Sequence, residues 1–303
     1  MRSKHINVTI DLDRVRASAE AIRARTGVAL IAVVKADAYG LGAPRVVDAL
    51  GAVVDEFAFF TVDEARVLNQ PGLVFGPPDA DPDDYRKLGL RPTITSLTQA
   101  ERYAGLPAAI NVDTGMQWMG CPAEQLDELL RRSGAREVFT HGGNVSSARA
   151  LRALAGGRGL RLHAASSALL DCQEAWLDAV RPGLALYRGA VRVTARLAAV
   201  RQTRGPVGYS GVESAHIGVF LAGYSNHVPR APALINGRRQ RILEVGMNTS
   251  IVSVDPADRV GDEVILLGDE LSEETLAGEL NVRPHEVLCR YTAMGVRAYR
   301  PTP

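Results

Sequence analysis

The chain has 303 residues, of which 46% are hydrophobic and 23% are charged, and its formal net charge is +1. This composition excludes a disordered or collagen-like chain, and the near-zero net charge gives no global basic field for nucleic acid. The length suggests two domains, or a barrel with an appended domain.

The expected cellular setting rests on three features. The N-terminal segment lacks the apolar core and cleavage site of a signal peptide, and no run of about 18 apolar residues predicts a membrane span. The cysteines Cys121, Cys172 and Cys289 are odd in number and widely spaced, without a metal-ligand spacing. We therefore expect a cytoplasmic protein with no bound metal and no membrane or nucleic-acid partner.

Short apolar runs alternate with helical patterns through the first 190 residues. The run Ile6–Ile10 precedes a predicted helix over Val15–Arg25, and the run Val28–Val34 precedes one over Pro44–Leu50. Further strands are predicted at Phe57–Phe60, Leu73–Phe75, Ala108–Val112, Val138–Thr140 and Leu160–His163, and helices at Glu124–Arg132 and Ser147–Ala155. Strands that alternate with helices predict a parallel sheet. About eight such units predict an α/β fold with a (β/α)8 TIM-type barrel over residues 1–192.

The sequence changes character near residue 192, where helical patterns become rare and Gly, Pro and β-branched residues increase. Strands are predicted at Ile217–Leu221, Gln240–Val245, Ser250–Val254 and Glu263–Leu267, and one helix at Ser272–Glu279. This pattern predicts a C-terminal, mostly antiparallel β-domain over residues 193–303.

Lysine is scarce in this chain. Of the 35 Lys and Arg residues only Lys4, Lys35 and Lys87 are lysines. Lys35 follows an apolar run and therefore lies at the carboxyl end of a predicted barrel strand, where barrel active sites are built. Partial desolvation there lowers the pKa of an amine and makes it nucleophilic, as Schiff-base chemistry requires. Taken alone, a lysine at a strand end also fits an ordinary surface residue.

The residues around Lys35 decide between these readings. Ala32-Val-Val-Lys-Ala-Asp-Ala-Tyr-Gly-Leu-Gly42 closely resembles the cofactor-lysine motif of the alanine racemase family, with Leu41 in place of the usual histidine. Further segments resemble family motifs in the family's order: Val112–Met116, Phe139–His141, Leu162–Ala168, Val180–Tyr187, Gly208–Tyr209, Ala222–Asn226, Gly246–Met247 and Gly261–Val264. The resemblance implies a pyridoxal-phosphate barrel with a C-terminal β-domain, paired head to tail as a homodimer.

The resemblance also implies the catalytic residues. Lys35 carries pyridoxal phosphate and, once released, serves as the base on one face of the cofactor. Tyr209, contributed by the partner chain, serves the other face. A tyrosine with a pKa near 10 needs help to act as a base, and His141 matches the histidine that hydrogen-bonds this tyrosine. Without the surrounding motifs, the simpler interpretation of His141 would be a structural histidine in the core.

Further matched residues are expected to bind the cofactor. Arg181 matches the arginine that faces the pyridine nitrogen, and an always-charged guanidinium keeps that nitrogen unprotonated. His163 matches the residue that supports this arginine. The groups that match the phosphate site are Tyr39, Ser167 and the backbone amides near Gly183 and Leu184.

The departures from the family pattern lie on the substrate side. Asn111 stands where the family often has a carbamylated lysine, and Trp118 replaces an arginine that helps bind the substrate carboxylate. Asn248 replaces a family aspartate. Ala293 falls at the place of a family tyrosine, which Tyr291 could supply only through a shifted register.

The two remaining matched residues are Tyr224, expected at the substrate entry, and Met247, expected to offer its backbone amide to the substrate carboxylate. Together these features predict an isomerase: an amino-acid racemase with a two-base mechanism and altered substrate specificity. Two alternatives stay open. An apolar Trp118 beside the carboxylate would favour decarboxylation, and a non-catalytic pyridoxal-phosphate-binding homologue would need neither base.

Overall fold

The computed structural model describes residues 2–300 of the chain, so residue 1 and residues 301–303, at the ends of the two expected domains, lie outside the described part. The chain divides into two compact units. The barrel unit contains residues 15–38 and 42–186. The sheet unit contains residues 2–14, 39–41 and 187–300.

The first strand, β1 (Ser3–Asp11), belongs to the sheet unit. It pairs antiparallel with residues 191–194 and parallel with residues 295–300. The expected barrel over residues 1–192 therefore does not include this strand. Its alternation of buried and exposed residues is typical of a strand with one covered face, whereas strands of a parallel barrel are buried on both faces.

Eight parallel strands form the closed barrel, in chain order. They are β2 (Ala29–Val33), β3 (Glu56–Phe59), β4 (Gly72–Val74), β5 (Leu90–Ile94), β6 (Ala109–Asn111), β7 (Glu137–Gly142), β8 (Arg161–Ser166) and β9 (Ala179–Arg181). The pairing of β2 with both β3 and β9 closes the ring. The expected TIM-type barrel is confirmed, and β5 is a strand that the apolar pattern did not reveal.

Helices follow most barrel strands. Those up to residue 187 are α1 (Leu12–Thr26), α2 (Ala43–Leu50), α3 (Val62–Leu68), α4 (Pro82–Leu88), α5 (Leu97–Arg102), α6 (Leu126–Ser133), α7 (Val145–Ala155) and α8 (Leu184–Tyr187). Side-chain oxygens of Thr61, Ser96 and Asn144 accept amides in the first turns of α3, α5 and α7, which fixes where these helices begin. Between residues 2 and 300, no helix has the length and apolarity needed to cross a membrane.

The sheet unit is built on eight strands. Those after β9 are β10 (Val191–Gln202), β11 (His216–Phe220), β12 (Pro232–Ile235), β13 (Arg238–Val245), β14 (Ser250–Ser253), β15 (Glu263–Leu267) and β16 (Gly295–Arg300). With β1 they form one sheet in the order β11-β14-β13-β12-β15-β10-β1-β16, and β11 also pairs with β10. The helices are α9 (Glu273–Leu280) and α10 (Pro284–Thr292). Every pairing except β1–β16 is antiparallel, which confirms the expected β-domain; α10 was not predicted.

Candidate active site

Lys35 lies just beyond the end of β2, at the carboxyl end of the barrel, as the sequence predicted. Its Nζ is 5.6 Å from the centre of the Phe60 ring. An aromatic face attracts a cation and shields one side of the amine from water. The lysine is therefore half-buried at the end of the barrel where TIM-type enzymes place their catalytic groups.

The segment Lys35–Tyr39 forms one helical turn of the left hand, with φ between 53° and 56° at its last four residues. This conformation costs about 1–2 kcal/mol for each residue other than glycine. Two carboxylates hold the turn in place. Oε1 of Glu64 accepts the amide of Ala36 at 2.8 Å, and Oδ1 of Asp37 accepts the amide of Ala43 at 2.7 Å. These contacts set the direction in which Lys35 leaves its strand.

His141 lies near the end of β7. Burial, together with smaller contributions from the positive charges of Arg181 and Lys35, lowers the pKa of its imidazole to about 4. The imidazole is therefore neutral at pH 7. Lys35 follows β2 and Arg181 ends β9, two paired strands beyond which the amide of Val33 donates to the carbonyl of Pro182 at 2.9 Å. Arg181 also binds the carbonyl of the residue before His141. The three side chains therefore start from the same carboxyl end of the barrel.

Arg181 ends β9 and is 4% exposed. Its Nη2 donates to the carbonyl oxygens of Thr140 at 2.5 Å and Ala164 at 3.1 Å. The centre of its guanidinium lies 5.5 Å from the Phe75 ring and 5.1 Å from the Phe139 ring. Burial lowers the pKa of Arg181 to about 10, so the group stays charged at pH 7. Its buried Nε has no hydrogen-bond partner in residues 2–300.

His163 is fully buried in β8, and its Nε2 lies 2.8 Å from Oε1 of Glu137. Burial lowers the pKa of His163 to about 4 despite this hydrogen bond, so the imidazole is neutral. The carboxylate of Glu137 also pairs with Arg91 at 2.8 Å and with Arg161 at 3.5 Å. Burial alone would raise the pKa of Glu137, but the hydrogen bond with His163 and the two arginines lower it to about 2.

The sequence reasoning missed Glu137, although a signal was present. Glu137 opens β7, and three other charged residues stand in the first two positions of barrel strands: Glu56, Arg91 and Arg161. Arg91 and Arg161 both bind Glu56, so the four residues form one network at the amino end of the barrel. A charged residue at the start of an otherwise apolar, buried strand needs an oppositely charged partner nearby. That requirement could have identified the network from the sequence.

Hydrogen-bonding groups lie close together just after β8 and β9. The amides of Gly183 and Ala185 both donate to Oγ of Ser167 at 3.0 Å. Two of the predicted phosphate-site groups, Ser167 and the amide of Gly183, are therefore in contact, and the amide of Ala185 joins them; the predicted Leu184 lies between these two residues in the chain. Backbone amides and small hydroxyls are the groups that bind phosphate oxygens in concave sites.

Tyr39 ends the left-handed turn and belongs to the sheet unit. Its ring centre lies 5.2 Å from that of Tyr187 and 6.5 Å from that of His285. Burial raises the pKa of Tyr39 to about 12, so the phenol is protonated at pH 7 and can donate a hydrogen bond.

A loop after β6 carries Trp118, whose ring centre is 6.0 Å from that of His141. The indole is 48% exposed. Asn111 is buried at the end of β6, and its Nδ2 donates to the carbonyl of Met119 at 2.6 Å. The side chain of Asn111 therefore fixes the Trp118 loop, and its Oδ1 has no hydrogen-bond partner among the described residues.

The sheet unit presents the remaining predicted residues at its surface. The side chain of Tyr209 is fully exposed, and those of Tyr224 and Met247 are more than half exposed. All three line one open depression of about 540 Å³ within the unit, together with Arg230 and Glu244.

Comparison with known proteins assigns this architecture to a family. Residues 10–191 match the model of the alanine racemase N-terminal domain, and residues 190–299 match the model of its C-terminal domain. The chain belongs to the alanine racemase family. The chain is 31% identical to an alanine racemase of Rhodospirillum rubrum, with 96% of this chain and 95% of that protein covered. It is 27% identical to one of Actinobacillus succinogenes, over 89% and 92% of the two chains.

Solved structures agree with the family assignment. The biosynthetic alanine racemase of Pseudomonas aeruginosa superposes with a TM-score of 0.89 at 25% identity, covering 99% of this chain and all of that one. The fold also matches alanine racemase from Bartonella henselae with covalently bound pyridoxal phosphate, with a TM-score of 0.88 at 24% identity over 98% of this chain and all of that one.

One departure from the alanine racemase pattern has a clear structural outcome. Ala293 stands at the place of a family tyrosine, and Tyr291 was the only nearby substitute. Tyr291 is 1% exposed within the sheet unit, and burial raises the pKa of its phenol. Its ring is therefore part of the buried core.

Proposed function

We propose that this chain is a pyridoxal-phosphate-dependent amino-acid racemase in which Lys35 and Tyr209 act as bases on opposite faces of the substrate. Membership of the alanine racemase family supports the reaction class. One observation carries the residue assignment: Lys35, His141 and Arg181 lie at the ends of β2, β7 and β9, at the carboxyl end of the barrel.

The residues of this site fit pyridoxal phosphate. Nε of Arg181 is a buried donor without a partner among the described residues, which suits a ring nitrogen as acceptor. The hydroxyl of Ser167 accepts the amides of Gly183 and Ala185, so its own O–H remains to donate to the phosphate. Tyr39, four residues after Lys35, is the donor that the family motif adds, and its phenol is protonated. Lys35 would hold the reactive carbon of the cofactor. When bound, pyridoxal phosphate supplies the electron sink that acidifies the α-hydrogen of an amino acid.

The surrounding residues then determine which protons move. Arg181 stays charged and can only donate, so it leaves the ring nitrogen unprotonated and limits how far charge is withdrawn from the substrate. The amine of Lys35 takes or returns the α-proton on one face, and the phenol oxygen of Tyr209 does so on the other. The neutral imidazole of His141 can accept the hydrogen bond of that phenol and so assist its deprotonation.

Two copies of the chain would complete each site. The exposed side chains of Tyr209, Tyr224 and Met247 in the sheet unit support this proposal. Aromatic residues and methionine are enriched in protein interfaces, and a cluster of them on a free surface indicates a partner. In a symmetric homodimer, Tyr209 of each copy would serve the Lys35 site of the other.

We further propose that the substrate differs from alanine or that alanine binds by altered contacts. The family arginine that helps bind the substrate carboxylate is Trp118 here, beside His141. A neutral indole cannot form the paired hydrogen bonds that a guanidinium gives a carboxylate. The exposed face of Trp118 offers apolar contact to a larger side chain instead.

The test is a substrate screen with the purified, cofactor-loaded protein in deuterated water. Each amino acid is offered as a single enantiomer, and α-deuteration, change of optical configuration and carbon dioxide release are measured. Racemised, α-deuterated product from at least one amino acid is expected. Lys35→Ala should abolish the visible absorbance of the bound cofactor, whereas Tyr209→Phe should keep it and lose inversion.

The other outcomes decide between the alternatives. Carbon dioxide release without racemisation would identify a decarboxylase on the same site. A normal cofactor absorbance with no α-proton exchange from any amino acid would identify a non-catalytic cofactor-binding protein.

A further inference from the structure

The proposed base Tyr209 sits at the tip of a tight loop in the sheet unit. The backbone groups of Val207 and Val212 pair in both directions, at 2.9 Å and 3.0 Å, and close the loop. Tyr209 is fully exposed, so no residue in the described range 2–300 packs against its side chain to orient it. Its position therefore depends on how firmly the backbone of the loop is held.

One carboxylate holds that backbone. Glu244 lies near the end of β13 and is 8% exposed. Its Oε1 accepts the amide of Tyr209 at 2.9 Å, and its Oε2 accepts both the amide and the hydroxyl of Ser210 at 2.8 Å and 2.6 Å. Three hydrogen bonds to an ionised acceptor are stronger than three neutral ones.

The loop is shaped to receive this carboxylate. Gly208 has φ of +71°, and a Cβ placed on it would lie 2.4 Å from Oε2 of Glu244. A residue with a side chain would be strained in this backbone conformation and would displace the carboxylate. The hydrogen bonds with Ser210 and Tyr209 lower the pKa of the Glu244 carboxyl, with a smaller contribution from the charge of Arg230, so it is ionised at neutral pH.

The end of the same strand also holds the other exposed residues of the depression. The carbonyl oxygen of Gly246 accepts the amide of Tyr224 at 2.9 Å, and that of Met247 accepts the amide of Ser225 at 3.1 Å. The Tyr209 loop and the Tyr224 turn are therefore both anchored to residues 244–247, the first through a side chain and the second through the backbone.

We propose that Glu244 is the positioning residue for Tyr209, and that its hydrogen bonds to the Tyr209–Ser210 backbone set the direction of the phenol toward the α-carbon. This inference rests on the proposed role of Tyr209 as a base. Glu244 takes no proton from the substrate and acts only through the loop.

The test uses Glu244→Gln in the cofactor-loaded protein, with Glu279→Gln as the matched control. Glu279 is an exposed glutamate of the same unit that pairs with Arg239 on the surface. A glutamine has one acceptor oxygen and an NH2 group that cannot accept an amide, so at least one of the three hydrogen bonds is lost. Ser210→Ala removes only the hydroxyl contact and should give a smaller effect in the same direction.

The first readout is independent of activity. Hydrogen exchange of the amides of Tyr209 and Ser210 should accelerate by about tenfold or more in Glu244→Gln, because a hydrogen bond to a charged group protects by about that factor. Exchange in β10 and β15 should stay unchanged. Wild-type protection of the two amides in Glu244→Gln would overturn the proposal.

The second readout separates positioning from general stability. In a two-base site, the enantiomer whose proton is taken by Lys35 can still exchange when Tyr209 is misplaced, whereas the other enantiomer cannot. Glu244→Gln should therefore slow α-proton exchange by about tenfold or more for one enantiomer only. Equal slowing for both enantiomers would show a structural role and overturn the proposal.

A double variant completes the design. Glu244→Gln should have no further effect in the Tyr209→Phe background, because the group it positions is already gone. Additive losses would contradict the proposal. If the wild-type protein exchanges no α-proton with any amino acid, the proposed function fails and with it the role of Tyr209 as a base, whereas protected amides that lose protection in Glu244→Gln would still show that the carboxylate holds the loop.

Discussion

Nε2 of His163 lies 2.8 Å from Oε1 of Glu137, and neither side chain is more than 7% exposed. The carboxylate is ionised and the imidazole is neutral, so the proton of the ring sits on Nε2 and points at Glu137. This arrangement fixes one tautomer of His163 and turns the lone pair of Nδ1 to the opposite side of the ring. The charged network at the amino end of the barrel therefore sets the tautomer of His163 in the barrel interior.

Removal of Glu137 should destabilise the protein strongly. In Glu137→Ala, the partly buried Arg91 and Arg161 keep Glu56 as their common carboxylate partner and lose the second one. The loss of one partner from a buried ion network costs about 3–5 kcal/mol. Urea unfolding of the cofactor-loaded protein measures this loss. The control is Glu20→Ala, which breaks an exposed ion pair with Arg16 and should leave the midpoint of unfolding unchanged. Equal stability of the two variants would contradict the prediction.

Stability should fall as the pH is lowered from about 6.5 to about 4. The pKa of His163 is about 4 in the folded protein, against an ordinary value of 6.5 in the unfolded chain. In that interval the unfolded chain binds a proton that the folded protein excludes, so protonation favours unfolding. The free energy of unfolding at several pH values should decline less steeply in His163→Asn than in the wild type. The exposed His227→Gln should follow the wild-type curve.

Ala36→Gly should stabilise the protein, against the usual direction of this substitution. Ala36 is exposed and has φ of 53°, a conformation that glycine adopts without steric cost. A gain of about 1 kcal/mol is expected. Ala153→Gly is the matched control, since it lies exposed within α7 and should lose about 1 kcal/mol. Thermal unfolding of both variants is sufficient, and a lower midpoint for Ala36→Gly would refute the strain argument.

Trp118→Arg should increase turnover of alanine. The substitution returns a guanidinium to the place where the alanine racemase family has one, next to His141, and the half-exposed site accepts the change without repacking. A gain of about tenfold or more in kcat/KM for alanine is expected from a charge-assisted contact to the carboxylate. Met116→Arg, a half-exposed neighbour in the same loop, should give no gain. A gain in both variants would indicate general electrostatic attraction instead.

Local patterns in the sequence predicted most of the fold. Continuous apolar runs predicted most of the barrel strands, and the Lys35 motif placed that lysine correctly at a strand end. The position of β1 could not be predicted in this way, because pairing with β10 and β16 depends on residues almost 200 and 300 positions away. The same is true of Glu244, whose partners Tyr209 and Ser210 lie 35 and 34 positions away in the chain.

The proposed site residues were identified by motif, whereas the groups that orient them were not. Arg181 and His141 stand in recognisable segments, but the two carbonyls that hold Arg181 belong to β7 and β8 and leave no trace in residue identity. Backbone acceptors are available at every residue, so only the fold reveals which of them is used.

The placement of Lys35 in the barrel unit and of an exposed Tyr209 in the sheet unit predicts that two inactive variants can complement each other. If each site takes its two bases from different chains, Lys35→Ala and Tyr209→Phe damage different halves of the same site. Two inactive proteins, unfolded together and refolded as a mixture, should then regain activity, because a hybrid dimer contains one site in which both bases are intact. Random pairing predicts about a quarter of the wild-type activity in the mixture, and a mixture that stays inactive would mean that each chain supplies both of its own bases.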